Sequence, residues 1–178
     1  MGNLYNDLAE VYEAMYHTFI NYEEEYIFYS DLLEKHHKSE VLEIGSGTGN
    51  LAQRFLANQF QYTGLDYSKE MIVIAKEKVP KGIFLKGDMR NFQLSSPVES
   101  AIITGRTISY LLKNEAVSAT FSTIHNNLKP KGILCFDFID ANQFIPAIFK
   151  EKKIVHQANH KGVEYLREGI WNIHLEHG

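Results

Sequence analysis

The chain has 178 residues, of which 44% are hydrophobic and 22% charged, and its net charge at pH 7 is −4. These values indicate a soluble globular protein with a sizeable core, and the acidic balance weighs against a nucleic-acid partner, which usually requires a basic face. Cys135 is the single cysteine, so no intrachain disulfide can form. The sequence contains neither an apolar run of roughly 18 residues nor a signal-peptide pattern. We therefore expect a cytoplasmic protein without a membrane partner.

Two amphipathic helices are predicted at the N-terminus. Apolar residues recur at helical spacing over residues 3–19, and a second helix follows with tyrosines and a leucine on one stripe. Six of the ten tyrosines lie within the first 30 residues. Such aromatic residues form either a packing face or a lid over a bound ligand. Tyr12, Tyr16 and Tyr22 are the candidates for a lid.

A short buried strand, a glycine-rich turn and a helix are predicted between residues 41 and 58. Gly45, Gly47 and Gly49 permit backbone conformations that side chains disfavour, and they let a ligand approach the main chain. The following helix offers free N–H groups and the positive end of its dipole. A dinucleotide fingerprint requires Gly or Ala where Asn50 stands, and the lysine of a P-loop is absent. A loop that only turns the chain is the alternative.

The next two predicted strands each lead to an acidic residue. The strand Gln61–Asp66 ends 21 residues after Gly45, where a carboxylate is suited to accept hydrogen bonds from both hydroxyls of a ribose. The strand Ile83–Lys86 is followed by Gly87, Asp88 and Met89. Ser68 is predicted to cap the helix between these two strands.

The succession of these motifs resembles the class I S-adenosylmethionine (SAM) dependent methyltransferases. The resemblance covers roughly residues 1–140. The pattern Tyr5-x-x-Leu8-Ala9-x-x-Tyr12 is similar to the bacterial small-molecule members, including amino-sugar N-methyltransferases. The resemblance implies SAM as cofactor and S-adenosylhomocysteine (SAH) as product. The cofactor-binding residues that it implies are Glu43, Gly45, Ser46, Gly47, Gly49, Asp66, Tyr67, Met71, Asp88, Met89 and Thr104.

The resemblance also assigns roles to these residues. The glycine loop lies under the methionine moiety, and Glu43 orients that loop or meets the amino group of SAM through water. Asp66 holds the ribose. Asp88 accepts a hydrogen bond from the adenine amine, and Tyr67 and Met89 flank the adenine ring.

A fourth strand at 101–103 leads into a loop that faces the ligand side of an open parallel sheet. Arg106 and Tyr110 in this loop join Tyr12 and Tyr16 as candidate catalytic residues, for orienting the acceptor or handling a proton. A surface ion pair is the alternative for Arg106. No metal or catalytic triad is expected, because positioning alone can supply ~7–11 kcal/mol in an in-line methyl transfer.

Strands alternating with helices predict a Rossmann-like α/β fold, a doubly wound and mainly parallel sheet. Asn114 is predicted to cap the helix before strand five, at 133–139. We expect one domain over 1–178, with a helical lid at 1–38, a SAM-binding core at 39–140, and a short helix plus a partial antiparallel cover sheet at 141–178. The β segments of that cover sheet are predicted at 153–159, 163–167 and 170–175.

After strand five, the methyltransferases that this chain resembles add two further core strands, and we expect this sequence to lack them. A truncated family member would expose the edge of strand five, which favours aggregation or a homodimer. The predicted function is methyl transfer from SAM to a small-molecule acceptor. An RNA or protein methyltransferase, a SAM-binding protein without turnover and an NAD-dependent dehydrogenase are the alternatives. The Asn-Pro-Pro-Tyr-type turn that is typical of an RNA or protein methyltransferase is absent at 104–107. Asn50 disfavours the NAD-dependent dehydrogenase.

Overall fold

The structure, a computed structural model, describes residues 9–150 and 153–171. The predicted start of the first helix at 3–8 and the predicted β residues 172–175 lie outside this part of the chain. The described residues form two compact units. The first comprises Asn21–Phe138, and the second comprises Glu10–Ile20 together with the residues from Ile139 onward.

The first unit is built on a five-stranded parallel sheet. Its strands are β1 (Glu40–Ile44), β2 (Gln61–Asp66), β3 (Ile83–Lys86), β4 (Val98–Ile103) and β5 (Leu128–Phe136). They are arranged in the order β3-β2-β1-β4-β5. All pairings within this sheet are parallel. The order reverses direction between β1 and β4, as in a doubly wound Rossmann-like sheet, and this confirms the predicted fold class.

Helices connect the strands of this unit. Helix α1 (Ala9–Tyr16) precedes them in the chain and belongs to the second unit. The helices of the first unit are α2 (Tyr22–Lys35), α3 (Asn50–Ala57), α4 (Lys69–Lys78) and α5 (Asn114–Asn127). A 3₁₀ turn at Thr107–Tyr110 follows β4. Ser68 caps α4 as predicted, since its hydroxyl accepts the Met71 N–H at 3.2 Å. The predicted cap of α5 is wrong. Lys113 occupies that position in an extended conformation without a side-chain cap, and Asn114 is already helical.

Two apolar clusters cover the faces of the sheet, because successive strand residues point to opposite sides. On one face, Val41 and Ile102 pack with the buried stripe of α2 and with Phe55 of α3. On the other face, Leu42 and Ile44 pack with Ile124 of α5. The alternation along β1 places the buried Glu43 on the same face as Val41.

Strand β5 begins five residues before the predicted Ile133, because Leu128 already pairs with Val98. The register then shifts between Val98 and Ser100. The segment 129–132 belongs to this irregular start of the strand, with Lys131 at φ +63°. Within the described residues, β5 forms one edge of the sheet.

The second unit contains α1, α6 (Ala141–Lys150) and an antiparallel hairpin of β6 (Lys153–His160) and β7 (Val163–Ile170). The hairpin turn consists of Lys161 and Gly162, both at positive φ, as a two-residue turn of type I′ requires. The hairpin confirms the predicted antiparallel extension. The predicted break at Gly169 is wrong, because Gly169 pairs with Ile154 inside β7. No helix in the described ranges is long and apolar enough to cross a membrane.

Candidate functional site

The glycine loop follows β1 directly and leads into α3. Gly45, Gly47 and Gly49 have φ values of +81°, +53° and +77°, and Gly49 is the N-cap residue of α3. The N–H groups of Gly45 and Ser46 donate to the Leu65 carbonyl at 2.8 and 3.1 Å. These hydrogen bonds fix the start of the loop to the neighbouring strand β2. The predicted strand–loop–helix unit is therefore confirmed.

The glycines of this edge serve two different purposes. A Cβ added at Gly45 would lie 2.7 Å from Thr107 Cγ2, and one added at Gly49 would lie 3.0 Å from the Phe84 ring. These two positions need glycine for close packing. An added Cβ would meet nothing within 4 Å at Gly47 or at Gly105, which is also at positive φ. Gly47 and Gly105 therefore border open space at the carboxyl edge of the sheet.

Asp66, at the end of β2, reaches the glycine loop. One carboxylate oxygen accepts the Gly47 N–H at 2.8 Å, and the other accepts the Ser68 N–H at 2.8 Å. Burial raises the pKa of this carboxyl, and its hydrogen bonds from backbone N–H groups oppose the rise. The residue predicted to hold a ribose thus also shapes the loop. Carboxylate oxygens have about four acceptor sites, so Asp66 retains capacity for further donors.

Glu43 lies beneath the loop and is 3% exposed. The Tyr62 hydroxyl donates to Oε2 at 2.5 Å, and the Thr104 hydroxyl donates to Oε1 at 3.1 Å. Burial raises the pKa of Glu43 to about 8, although both hydrogen bonds oppose the shift. Glu43 thus links the carboxyl end of β1 to Tyr62 of β2 and to Thr104 directly after β4. Tyr62 was not predicted as a site residue, although the hydroxyl of a buried tyrosine needs a hydrogen-bond partner.

Ser46 has a buried hydroxyl that makes no hydrogen bond of acceptable geometry to a described residue. It is close enough to Tyr62 to lower the pKa of that phenol. The side chain fits here because Gly64 of β2 has no Cβ, which would approach Ser46 Oγ to 2.7 Å. Gly64 is also the register partner of Glu43 on β1. The missing side chain at Gly64 therefore leaves room for the Ser46 hydroxyl next to the strand that carries Glu43.

The loop after β4 is held in a strained conformation. Arg106 has φ +59°, and its N–H donates to the Asp137 carboxylate at 2.8 Å. The Thr104 carbonyl accepts hydrogen bonds from the N–H and hydroxyl of Thr107, at 3.1 and 2.7 Å. The Arg106 and Tyr110 side chains are exposed. The roles predicted for them remain predictions.

Three groups near this loop were not identified from the sequence as site residues. Burial raises the pKa of Glu25 on α2, the nearby Asp137 adds to the rise, and Arg106 opposes it. Burial also raises the pKa of Tyr29, one turn further along α2, and Asp137, Glu25 and Glu43 add to that rise. This face of the sheet edge is therefore acidic. Amphipathic spacing alone identified Tyr29 only as a core residue.

Asp88 is engaged by Arg90, two residues further along the chain. The guanidinium donates from Nε at 2.9 Å and from Nη2 at 2.5 Å, and this pairing lowers the pKa of the Asp88 carboxyl. Met89 is half-buried against the apolar cluster of α5. Tyr67 is 73% exposed, whereas Met71 is buried in α4. Binding of adenine by these residues stays a prediction.

Tyr12 and Tyr16 belong to the second unit. Their rings stack with centroids 3.9 Å apart, and Tyr16 also contacts Phe19, whose ring stacks on His156 of β6 at 4.1 Å. The aromatic residues of α1 thus form a packed row within this unit. Their predicted role as a lid stays a prediction.

The fold is that of class I SAM-dependent methyltransferases. Streptomyces venezuelae DesVI matches with a TM-score of 0.78 at 23% identity, over 91% of this chain and 69% of DesVI. SAM-bound CalS10, an amino pentose methyltransferase from Micromonospora echinaspora, matches with a TM-score of 0.72 at 18% identity, over 99% of this chain and 87% of CalS10.

Sequence similarity gives the family. Residues 41–132, just over half of the chain, match the family described as methyltransferase domain. An uncharacterized methyltransferase of Bacillus thuringiensis is 35% identical over 113 residues, which cover 58% of this chain and 53% of that protein. The chain belongs to the methyltransferase domain family, and it spans about half the length of the curated relatives it matches.

Proposed function

We propose that this chain binds SAM at the carboxyl edge of its parallel sheet and transfers the methyl group to a small-molecule acceptor. The observation that carries the proposal is the loop Gly45–Gly49 at the start of α3, with open space at Gly47 and the Asp66 carboxylate hydrogen-bonded to the same loop. This is the arrangement of a strand–glycine loop–helix nucleotide site with an acidic residue on the next strand.

The residues present fit this cofactor. An added Cβ at Gly47 or Gly105 would enter open space, so both glycines leave room against the backbone. The buried Ser46 hydroxyl has no described partner, and Asp66 retains acceptor capacity after binding two N–H groups. In the proposed site, the loop holds the methionine end and Asp66 accepts from the ribose hydroxyls.

When bound, SAM would supply a methyl group on a sulfonium, and the neutral thioether of SAH would be the leaving group. The protein then contributes chiefly by orienting the acceptor in line with that methyl group, for which no metal or covalent residue is needed. Arg106 and Tyr110, on the exposed loop after β4, are the proposed orienting residues in the first unit. A base that removes a proton from an amine or hydroxyl acceptor would add to the rate.

A small-molecule acceptor is favoured by two observations. The net charge of −4 argues against a polyanionic acceptor such as RNA. The structural neighbours with described substrates include an amino pentose methyltransferase and a sugar N-methyltransferase. A cytoplasmic location and a homodimer stay predictions of the sequence.

Calorimetric titration with SAM, with NAD as the control ligand, tests the cofactor. We expect saturable SAM binding and no heat with NAD. Asp66→Ala should weaken SAM binding by about 2 kcal/mol, or roughly thirtyfold, because charge-assisted hydrogen bonds are lost. Glu40→Gln is the matched control, since Glu40 lies at the opposite end of β1 and pairs with Lys129. A folded protein that does not bind SAM would refute the cofactor. Unchanged affinity in Asp66→Ala would remove Asp66 from the site.

The acceptor requires a second assay. The protein is incubated with SAM and pooled small metabolites, and the formation of SAH is measured against a sample without metabolites. Metabolite-dependent SAH formation is expected. Two outcomes would each overturn the small-molecule proposal. One is saturable SAM binding without any turnover across such pools, and the other is turnover with RNA or protein instead.

A further inference from the structure

The segment that follows β3 lies beside the residue proposed to hold the ribose. The Gly87 N–H donates to the Asp66 carbonyl at 2.9 Å, which joins the first residue after β3 to the end of β2. The sheet order places β3 next to β2, on the side away from β1, and neighbouring strands are about 4.8 Å apart. A ligand with its methionine end on the loop after β1 and its ribose at Asp66 therefore extends its base toward the end of β3.

Arg90 lies in this segment, and both its main chain and its side chain are held by hydrogen bonds. The Thr123 hydroxyl of α5 donates to the Arg90 carbonyl at 2.7 Å. The guanidinium donates from Nε to the two oxygens of Asp88 at 2.9 and 3.0 Å, and from Nη2 to Oδ2 at 2.5 Å. The Arg90 N–H also donates to Asp88 Oδ1, at 2.9 Å. The direction of the guanidinium is therefore fixed within the protein itself.

The rest of the segment is fixed to α5 by a buried amide. Asn127 is 2% exposed, accepts the Leu94 N–H at 2.8 Å and donates to the Phe92 carbonyl at 3.3 Å. Together with the bond from Thr123 to Arg90, these contacts attach alternate residues of the segment to one helix. A segment ordered in this way loses little further conformational entropy when a ligand binds to it.

The guanidinium of Arg90 presents its flat face at the end of β3. Its hydrogen bonds to Asp88 lie in the plane of the group, and the Arg90 side chain is 51% exposed. Tyr67, which directly follows Asp66, is 73% exposed. Hydrogen bonds from Asp88 raise the pKa of Arg90, and the phenol of Tyr67 is close enough to add to that rise. Because planar bases stack on guanidinium faces and on aromatic rings, both groups suit the base of a nucleoside.

We propose, resting on the proposed function, that Arg90 is a base-binding residue of the SAM site, whose guanidinium face stacks against the adenine ring. Asp88 is then a positioning residue, which holds the guanidinium in place for this contact. SAM and SAH make the contact equally, because both carry the same adenosine.

Calorimetric titration with SAH, and displacement of SAH by S-ribosylhomocysteine, test this inference on the full chain. S-Ribosylhomocysteine keeps the ribose and homocysteine parts of SAH but has no base. We expect Arg90→Ala to weaken SAH binding roughly three- to thirtyfold, as for the loss of a cation–π contact, and to leave S-ribosylhomocysteine binding unchanged. Arg90→Lys keeps the charge but lacks the planar face, so it should not restore SAH binding.

Two further variants complete the test. Lys129→Ala is the matched control, because it also removes the cation of an exposed salt bridge, here with Glu40 at the other end of β1. This variant should bind both ligands like the wild type. Asp88→Ala should weaken SAH binding by releasing the guanidinium. The double variant Asp88→Ala, Arg90→Ala should bind SAH about as weakly as Arg90→Ala alone, since Asp88 acts through Arg90.

The outcomes separate the inference from the function on which it rests. A folded wild-type protein that binds neither SAM nor SAH overturns both. Saturable SAH binding that is unchanged or tighter in Arg90→Ala overturns the inference alone. Equal losses for SAH and S-ribosylhomocysteine, or full recovery in Arg90→Lys, also overturn it, because either result assigns Arg90 to the fold or charge of the segment. Strict additivity in the double variant removes the positioning role of Asp88.

Discussion

The contact between Gly45 and Thr107 joins the two loops of the candidate site, and Gly45→Ala tests it. A Cβ at position 45 would lie 2.7 Å from Thr107 Cγ2 and 2.8 Å from Thr107 Oγ1, in a backbone conformation of φ +81°. The conformation costs about 1–2 kcal/mol for a residue with a side chain. Overpacking typically adds ~1–3 kcal/mol. We therefore expect a loss of roughly 2–5 kcal/mol in the free energy of unfolding.

Gly47→Ala is the matched control. Gly47 also has positive φ, but an added Cβ meets nothing within 4 Å, so only the conformational cost of about 1–2 kcal/mol applies. Urea unfolding followed by far-UV circular dichroism measures both variants, and a lower midpoint at unchanged slope reports lost stability. SAM binding should nevertheless weaken in Gly47→Ala, because the added methyl group would fill the space assigned to the ligand while leaving the fold nearly intact.

The double variant Gly45→Ala, Thr107→Ala isolates the contact. Thr107→Ala alone should cost about 1 kcal/mol, since the hydroxyl donates to the Thr104 carbonyl. In the double variant the two contacts below 3 Å are removed and only the Cβ of residue 107 stays close, at 3.1 Å. The combined loss should therefore fall short of the sum of the two single losses by up to ~3 kcal/mol. Equal losses in Gly45→Ala and Gly47→Ala, together with strict additivity at Thr107, would refute the close contact.

Two predictions concern acidic groups. Glu43 has a higher pKa in the folded than in the unfolded protein, so its contribution to stability is complete below about pH 4.5 and is lost as the pH rises to about 8. Wild-type stability should fall by at most about 5 kcal/mol across that window, and denaturant unfolding of Glu43→Gln should show a flatter pH profile; identical profiles would contradict the assignment. Asp137→Ala should cost about 1 kcal/mol and accelerate amide exchange at Arg106, whose N–H loses its acceptor, whereas Asp137→Asn retains an acceptor and should not.

The features predicted correctly from the sequence are those that depend on local patterns. Glycine spacing after an apolar run identified the loop at Gly45, and the end of an alternating strand placed Asp66 beside it. The Ser68 cap followed from residue type and position. The loop and the cap depend on residues that are neighbours in sequence, so no knowledge of strand register was needed, whereas Asp66 followed from its spacing of 21 residues from Gly45.

The features that were missed depend on contacts between distant segments. Tyr62 bonds to Glu43 because β2 pairs with β1 in one particular register. The early start of β5 depends on the pairing of Leu128 with Val98. Sequence spacing does not specify register, whereas a one-residue slip would move every side chain to the other face. The salt bridge between Asp88 and Arg90 is local in sequence, but it was not predicted.

The register of β1 and β2 explains why the acidic network and the glycine loop form a single unit. Glu43 faces Gly64, and the missing side chain at Gly64 is what admits Ser46 beneath the loop. Thr104 then ties Glu43 to the loop after β4, whose Thr107 contacts Gly45. A change in the charge of Glu43 therefore acts on donors that belong to two different segments, β2 and the loop after β4.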